Sequence, residues 1–191
     1  MKLARDALFA AALATTALWG VGGHAQQTDQ PLPEPPAGQD LASAEMQGPE
    51  GEPMGTVALV GTPNGIILQV RMEQVPPGGH GIHIHETGTC EGPDFSSAGG
   101  HFNPDGHGHG YLSPEGPHAG DLPNVFVSED GVLRVDIFTD RVTLGTGETG
   151  LYKPEGTAIV LHAGVDDYMT DPAGDSGTRI ACGPITARTQ P

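Results

Sequence analysis

The sequence predicts an all-β domain, an eight-stranded antiparallel β-sandwich or barrel with two long functional loops. Three features predict it. No stretch after residue 54 sustains a helical hydrophobic period, and short apolar alternations recur between turn signals. Two turn-rich segments, 87–121 and 163–178, are far longer than ordinary connections, and loops of that length inside a compact domain are usually functional.

Residues 1–25 read as a secretory signal. Lys2 and Arg5 give a positive start diluted by Asp6, residues 7–19 form a short apolar run, and Gly23-His24-Ala25 offers small residues for cleavage. The run is too short to span a bilayer stably, although an uncleaved anchor is the rival reading. The expected chain is therefore exported, periplasmic or secreted, with no stable membrane insertion after processing. Residues 26–53 hold six prolines, six acidic residues and no aromatic or basic one. Such a segment buries too little apolar surface to offset its ordering entropy, and a disordered linker is expected there. Residues 54–191 remain as the folded domain, long enough for one core.

Within it, strands are expected at 56–61, 66–72, 81–86, 124–128, 132–138, 140–144, 157–162 and 179–182. Pro63-Asn64-Gly65 joins the first two as a hairpin, because Asn-Gly tolerates positive φ. Ile66, Leu68, Val70 and Met72 share one face of the second strand, with Gln69 and Arg71 opposite. Glu129-Asp130-Gly131 makes another tight turn.

The domain carries six Lys and Arg against seventeen Asp and Glu, a net charge of −11. That argues against nucleic acid or anionic membranes as partners. Cys90 and Cys182 are the only cysteines. In an oxidising compartment such a pair suggests one disulfide, and two thiolate metal ligands are the rival reading.

Histidine is the chemically informative residue. Seven of nine lie between His80 and His118, and His162 stands alone in the domain's second half. His83 and His85 are two apart on an expected strand, so both leave the same face. His162 ends an apolar run that a neighbouring strand could bring beside them. Imidazole arrays of this kind suit copper. His80, three residues from His83, is expected to point elsewhere and bond backbone. His101, His107, His109, His118 and Asp121 form a second group, and three nitrogens with one carboxylate suit a closed zinc site. His107 and His109 compete for one place, and spacing alone does not choose between them. An adventitious chelating loop is the bland alternative.

At these residues the chain resembles the copper/zinc superoxide dismutases, above all the exported bacterial branch. The resemblance covers essentially all of 54–191. Its segments are His80-Gly81-Ile82-His83-Ile84-His85-Glu86, Gly99-Gly100-His101-Phe102-Asn103-Pro104, Gly116-Pro117-His118-Ala119-Gly120-Asp121-Leu122, His162-Ala163-Gly164-Val165-Asp166-Asp167 and Arg179-Ile180-Ala181-Cys182-Gly183. This family is an established example of the β-sandwich, so the resemblance implies a Greek-key version of the fold. It implies copper on His83, His85, His101 and His162, and zinc on His101, His109, His118 and Asp121. His101 would be an imidazolate shared by both metals, and His107 would be an extra. Asp166 would lie behind His83 and His109, with His80 a further supporting residue. Arg179 would attract the superoxide anion, and Cys90 would pair with Cys182. The implied reaction is dismutation of superoxide by cyclic reduction and reoxidation of copper. Exported members occur as monomers and as homodimers, and the sequence leaves that choice open.

One departure concerns the substrate's approach. The family is a known case of electrostatic steering, yet loop 163–178 carries Asp166, Asp167, Asp171 and Asp175 with no Lys or Arg. Guidance from this loop is therefore expected to be weak, with Arg179 supplying the local attraction. Two rivals remain. Gly174-Asp175-Ser176-Gly177 mimics a serine-protease nucleophile motif, but the domain is too short for two six-stranded barrels. A non-catalytic copper or zinc carrier of the same fold is the second. It would ordinarily lack a copper histidine or the active-site arginine.

Overall fold

The computed structural model describes residues 41–188, so the expected signal (1–25) and residues 26–40 of the expected linker lie outside the described residues. Nine strands are present among the described residues. They are β1 Leu41–Gln47, β2 Pro53–Thr62, β3 Gly65–Met72, β4 Gly78–His80, β5 Ile82–His85, β6 Val125–Val127, β7 Leu133–Thr139, β8 Ala158–His162 and β9 Arg179–Arg188. Seven form one antiparallel sheet in the order β5-β8-β9-β1-β2-β3-β7, and β4 pairs with β6. Gly81 passes the chain directly from β4 into β5, and the turn at 128–131 carries β6 into β7. The small sheet thus joins the two ends of the curled large one, giving the all-β architecture the sequence predicts.

Three expectations need correction. Residues 41–53 are not disordered linker. β1 lies inside the sheet, paired with β2 on one side and β9 on the other. Ala42, Ala44 and Met46 alternate inward and are buried, two small side chains and one large one, while both backbone edges are satisfied by neighbours. Residues 140–144 do not form a strand. Only Thr143 bridges, to Gly150, while Val142 and Leu144 are buried from an irregular segment. The expected strand 81–86 is shorter, because His80 belongs to the small sheet and Gly81 marks the change of sheet. The strand count among the described residues is accordingly nine and not eight.

The core follows from alternation. In β3, Ile66, Leu68, Val70 and Met72 face inward, as their spacing requires, against Val57 and Leu59 of β2. Each such side chain is worth roughly 1.5–3 kcal/mol of burial. In β5 the same rule separates Ile82 and Ile84, which join this core, from His83 and His85 on the opposite face. β8 does likewise. Ile159 and Leu161 enter the main core, while Ala158 and Val160 join a smaller cluster with Phe95, Ala98 and Cys182 under the first long loop.

Candidate metal centre

The site is built on the outer face of β5 and β8. Antiparallel pairing sets His83 opposite Val160 and His85 opposite Ala158. A register shift between Leu161 and His162 ends β8 on the same histidine-bearing face. The other edge of β5 is paired by two short pieces of the loop 86–124. His101 bridges His85, and Asp121 bridges His83. The hydrogen bonds Phe102 N to Ile84 O (2.8 Å) and Ile84 N to Gly120 O (2.9 Å) hold those pieces in place. A free strand edge is thereby closed with the residues that carry ligands.

Two groups of four result. One ligand atom each from His83, His85, His101 and His162 lie within 4.8 Å of one another, and so do atoms from His101, His109, His118 and Asp121. All seven residues are buried. His101 belongs to both groups and stacks on His83 with ring centroids 4.0 Å apart.

Contacts on the far side of each ring set its tautomer. His83 Nε2 donates to Asp166 Oδ2 (2.8 Å), His85 Nδ1 to Gly99 O (3.0 Å) and His162 Nδ1 to Gly177 O (3.2 Å). The lone pairs therefore sit on His83 Nδ1, His85 Nε2 and His162 Nε2. These three atoms and His101 Nε2 are buried with no hydrogen-bond partner, as is His109 Nδ1. An unsatisfied buried polar atom costs about 1–3 kcal/mol, so four from the first group, with His109 Nδ1 in the second, are the signature of ligand sets. A tetrad of neutral imidazoles fits copper. The second group fits zinc, since His101 Nδ1 (2.8 Å), His109 Nδ1 (3.2 Å) and His118 Nδ1 (3.3 Å) all face the Asp121 carboxylate.

Asp166 joins the groups from behind. It accepts from His83 at Oδ2 and from His109 Nε2 at Oδ1 (2.9 Å). Asn124 clamps its backbone, accepting from Asp166 N and donating to Asp166 O. Gly174, at φ +63°, lies against this contact. A Cβ there would collide with Asp166 Oδ1 and stand 2.7 Å from His109 Nε2.

Electrostatics divides the two groups. Burial pushes His101 down to about 4 and His162 to about 3, with neighbouring imidazoles adding, and His85 is lowered for the same reasons. Arg179 presses His85 and His162 down further. Burial also opposes a charge on His109, but Asp121 and Asp166 outweigh it and raise His109 to about 9. Burial likewise works against the Asp121 and Asp166 carboxylates, yet hydrogen bonds from the histidines hold both below the ordinary range.

Arg179 opens β9, with Nη1 donating to Phe95 O (2.6 Å) and Nη2 to Gly99 O (2.7 Å). Gly99 O is the carbonyl that also fixes His85. Cys90 and Cys182 are disulfide-bonded, which ties the same loop to β9. His80 stands apart from both groups, its Nδ1 2.8 Å from His162 O and its Nε2 2.8 Å from Pro76 O. His107 is exposed and belongs to neither group, its backbone held by the Asn103 side chain. Ser176 is buried, and its hydroxyl donates to Ala173 O. Sequence reasoning missed Asn124 and Gly174. Asn124 lies 42 residues from the group it holds, and nothing local marks it.

Comparison with known proteins gives a consistent result. The family model for copper/zinc superoxide dismutase matches residues 54–185. The Cu-Zn superoxide dismutase 2 of Aquifex aeolicus is 49% identical over 150 residues, covering 77% of this chain and 88% of that relative. The crystal structure of a SOD-like protein from Bacillus subtilis superposes with a TM-score of 0.72 at 36% identity, over 74% of this chain and 96% of that one. The Cu/Zn superoxide dismutase from Brucella abortus gives a TM-score of 0.62 at 31% identity, over 76% and 99%.

Proposed function

The chain belongs to the copper/zinc superoxide dismutase family, and from that premise we propose that its joined histidine groups dismutate superoxide, with copper and zinc as cofactors. Two superoxide anions and two protons become one dioxygen and one hydrogen peroxide. The observation that carries the reading is the convergence of four buried, unpartnered imidazole nitrogens, from His83, His85, His101 and His162. Copper bound there supplies a one-electron couple, which zinc lacks.

The chain's own residues do the rest. His83, His85 and His162 present lone pairs because Asp166, Gly99 O and Gly177 O hold their other nitrogens. His101 is oriented through Nδ1 by Asp121, and its Nε2 faces the copper group. A proton held at Nε2 can pass to the reduced substrate, which gives His101 its catalytic role. Arg179 binds the anion. Its guanidinium shares a carbonyl with His85, so a fixed positive charge stands beside the copper histidines. Asp166 keeps the two groups in register, and His80 braces the His162 backbone.

We place this activity outside the cytosol, in a periplasm or secreted. The signal-like residues 1–25 and the paired cysteines support that placement. The chain works as a monomer or as a homodimer, which sedimentation of the loaded protein distinguishes.

The test is a dismutase assay on protein carrying one copper and one zinc per chain. Many turnovers per copper uphold the reading. Tight stoichiometric metal with no turnover would instead make the protein a metal carrier.

A further inference from the structure

We propose that Asp171 positions the zinc-side histidines, acting on His109 through its backbone and on His118 through its ring. Asp171 Oδ1 accepts the His109 N–H at 2.9 Å. The same oxygen stands 3.9 Å from His118 Nε2, on the side of the ring away from Asp121. One carboxylate oxygen thus faces two members of the zinc group. A histidine that ligates through one ring nitrogen ordinarily offers the other N–H to a carboxylate or carbonyl, which fixes the ring and raises its basicity. His83 and His109 have this arrangement in Asp166. His118 Nε2 faces Asp171 at 3.9 Å, beyond hydrogen-bond length but close enough for the carboxylate's charge to act on the ring.

The surroundings fit a holding role. The His118 side chain is 8% exposed, whereas the Asp171 side chain is 67% exposed and reaches in from the second long loop. Two of the loop's other three acidic residues are likewise engaged in local structure. Asp167 accepts from the Met169 and Thr170 backbone, and Asp166 is buried between His83 and His109. An acidic loop beside an anion's site is poor for steering. It becomes intelligible when part of its charge is spent on histidine ligands.

This inference rests on the reading that the His101, His109, His118 and Asp121 group takes zinc. The experiment measures zinc affinity by chelator competition on the full chain, for the parent, Asp171→Ala and Asp171→Asn. Copper affinity is measured in parallel. Asp171→Ala should weaken zinc roughly tenfold or more and leave copper within twofold. Asp171→Asn can still accept the His109 N–H, so it should fall between the two. With cobalt(II) in place of zinc, the visible bands of Asp171→Ala should shift, because ligand orientation has changed. A parent that binds zinc beside an Asp171→Ala with unchanged zinc affinity overturns this inference alone. Equal losses of copper and zinc also overturn it, since they mean a general collapse of the loop. A parent that takes up no zinc overturns the underlying reading as well.

Discussion

Two donors of Arg179 are committed to backbone carbonyls, Phe95 O and Gly99 O, so its guanidinium cannot follow the substrate outward. It acts as a fixed local charge. The acidic loop 163–178 offers no second cation, so in the proposed reaction attraction of the anion falls to this residue. Arg179→Ala should lower the superoxide rate at least about tenfold and flatten its dependence on ionic strength. Stopped-flow or pulse-radiolysis rates across a salt series measure both, and an unchanged rate and salt slope would contradict the assignment. At this scale the sequence was informative where chemistry is encoded in residue type. Histidines two apart and an isolated His162 could be read directly, whereas Arg179 came only through the family resemblance. Asn124, Asp171 and Gly174 could not be read directly, because their roles exist only through tertiary contacts with the histidine groups and Asp166.

Elements explain why the ligands meet. β5 is an edge strand whose open side is covered by two pieces of loop, and those pieces deliver His101 and Asp121. The second long loop then covers His83 and His109 with Asp166, and it can do so only where Gly174 leaves room. Gly174 has φ +63°, a left-handed conformation that costs another residue about 1–2 kcal/mol. Gly174→Ala should therefore destabilise the fold by more than that amount, since the Cβ also collides with Asp166, and weaken zinc retention by displacing His109. Thermal unfolding and chelator competition on the same preparations would show it, and zinc retention equal to the parent's would argue against the contact's importance. The strands were legible from alternation, except where the inward residues are mostly small. β1 packs through Ala42, Ala44 and Met46 beside a proline-rich stretch, so composition hid a strand that the sheet needs at its centre. The segment 140–144 erred in the other direction, since two buried apolar residues were enough to suggest a strand without pairing partners.

For the whole molecule, protons and metals compete for the same nitrogens. In the metal-free chain His109, raised to about 9, holds a proton at neutral pH, and zinc must displace it. Apparent zinc affinity should therefore climb with pH until about 9. His101 and His162, lowered to about 4 and 3, are already neutral at pH 7 and take up protons only near those values. Acid titration of the loaded protein should release zinc before copper, and the reverse order would contradict this balance. The same shifts affect the metal-free fold. The His109 contribution is fully present below its ordinary 6.5 and lost as pH rises through about 9, while those of His101 and His162 are present above 6.5 and lost as pH falls toward 4 and 3. All of this turns on one imidazole joining two metal groups. The direct measurement is copper and zinc affinity in His101→Ala beside His118→Ala. Weakening of both metals in the first, and chiefly of zinc in the second, is the predicted result. A His101→Ala protein that loses one metal and keeps the other at parental affinity would contradict the shared ligand.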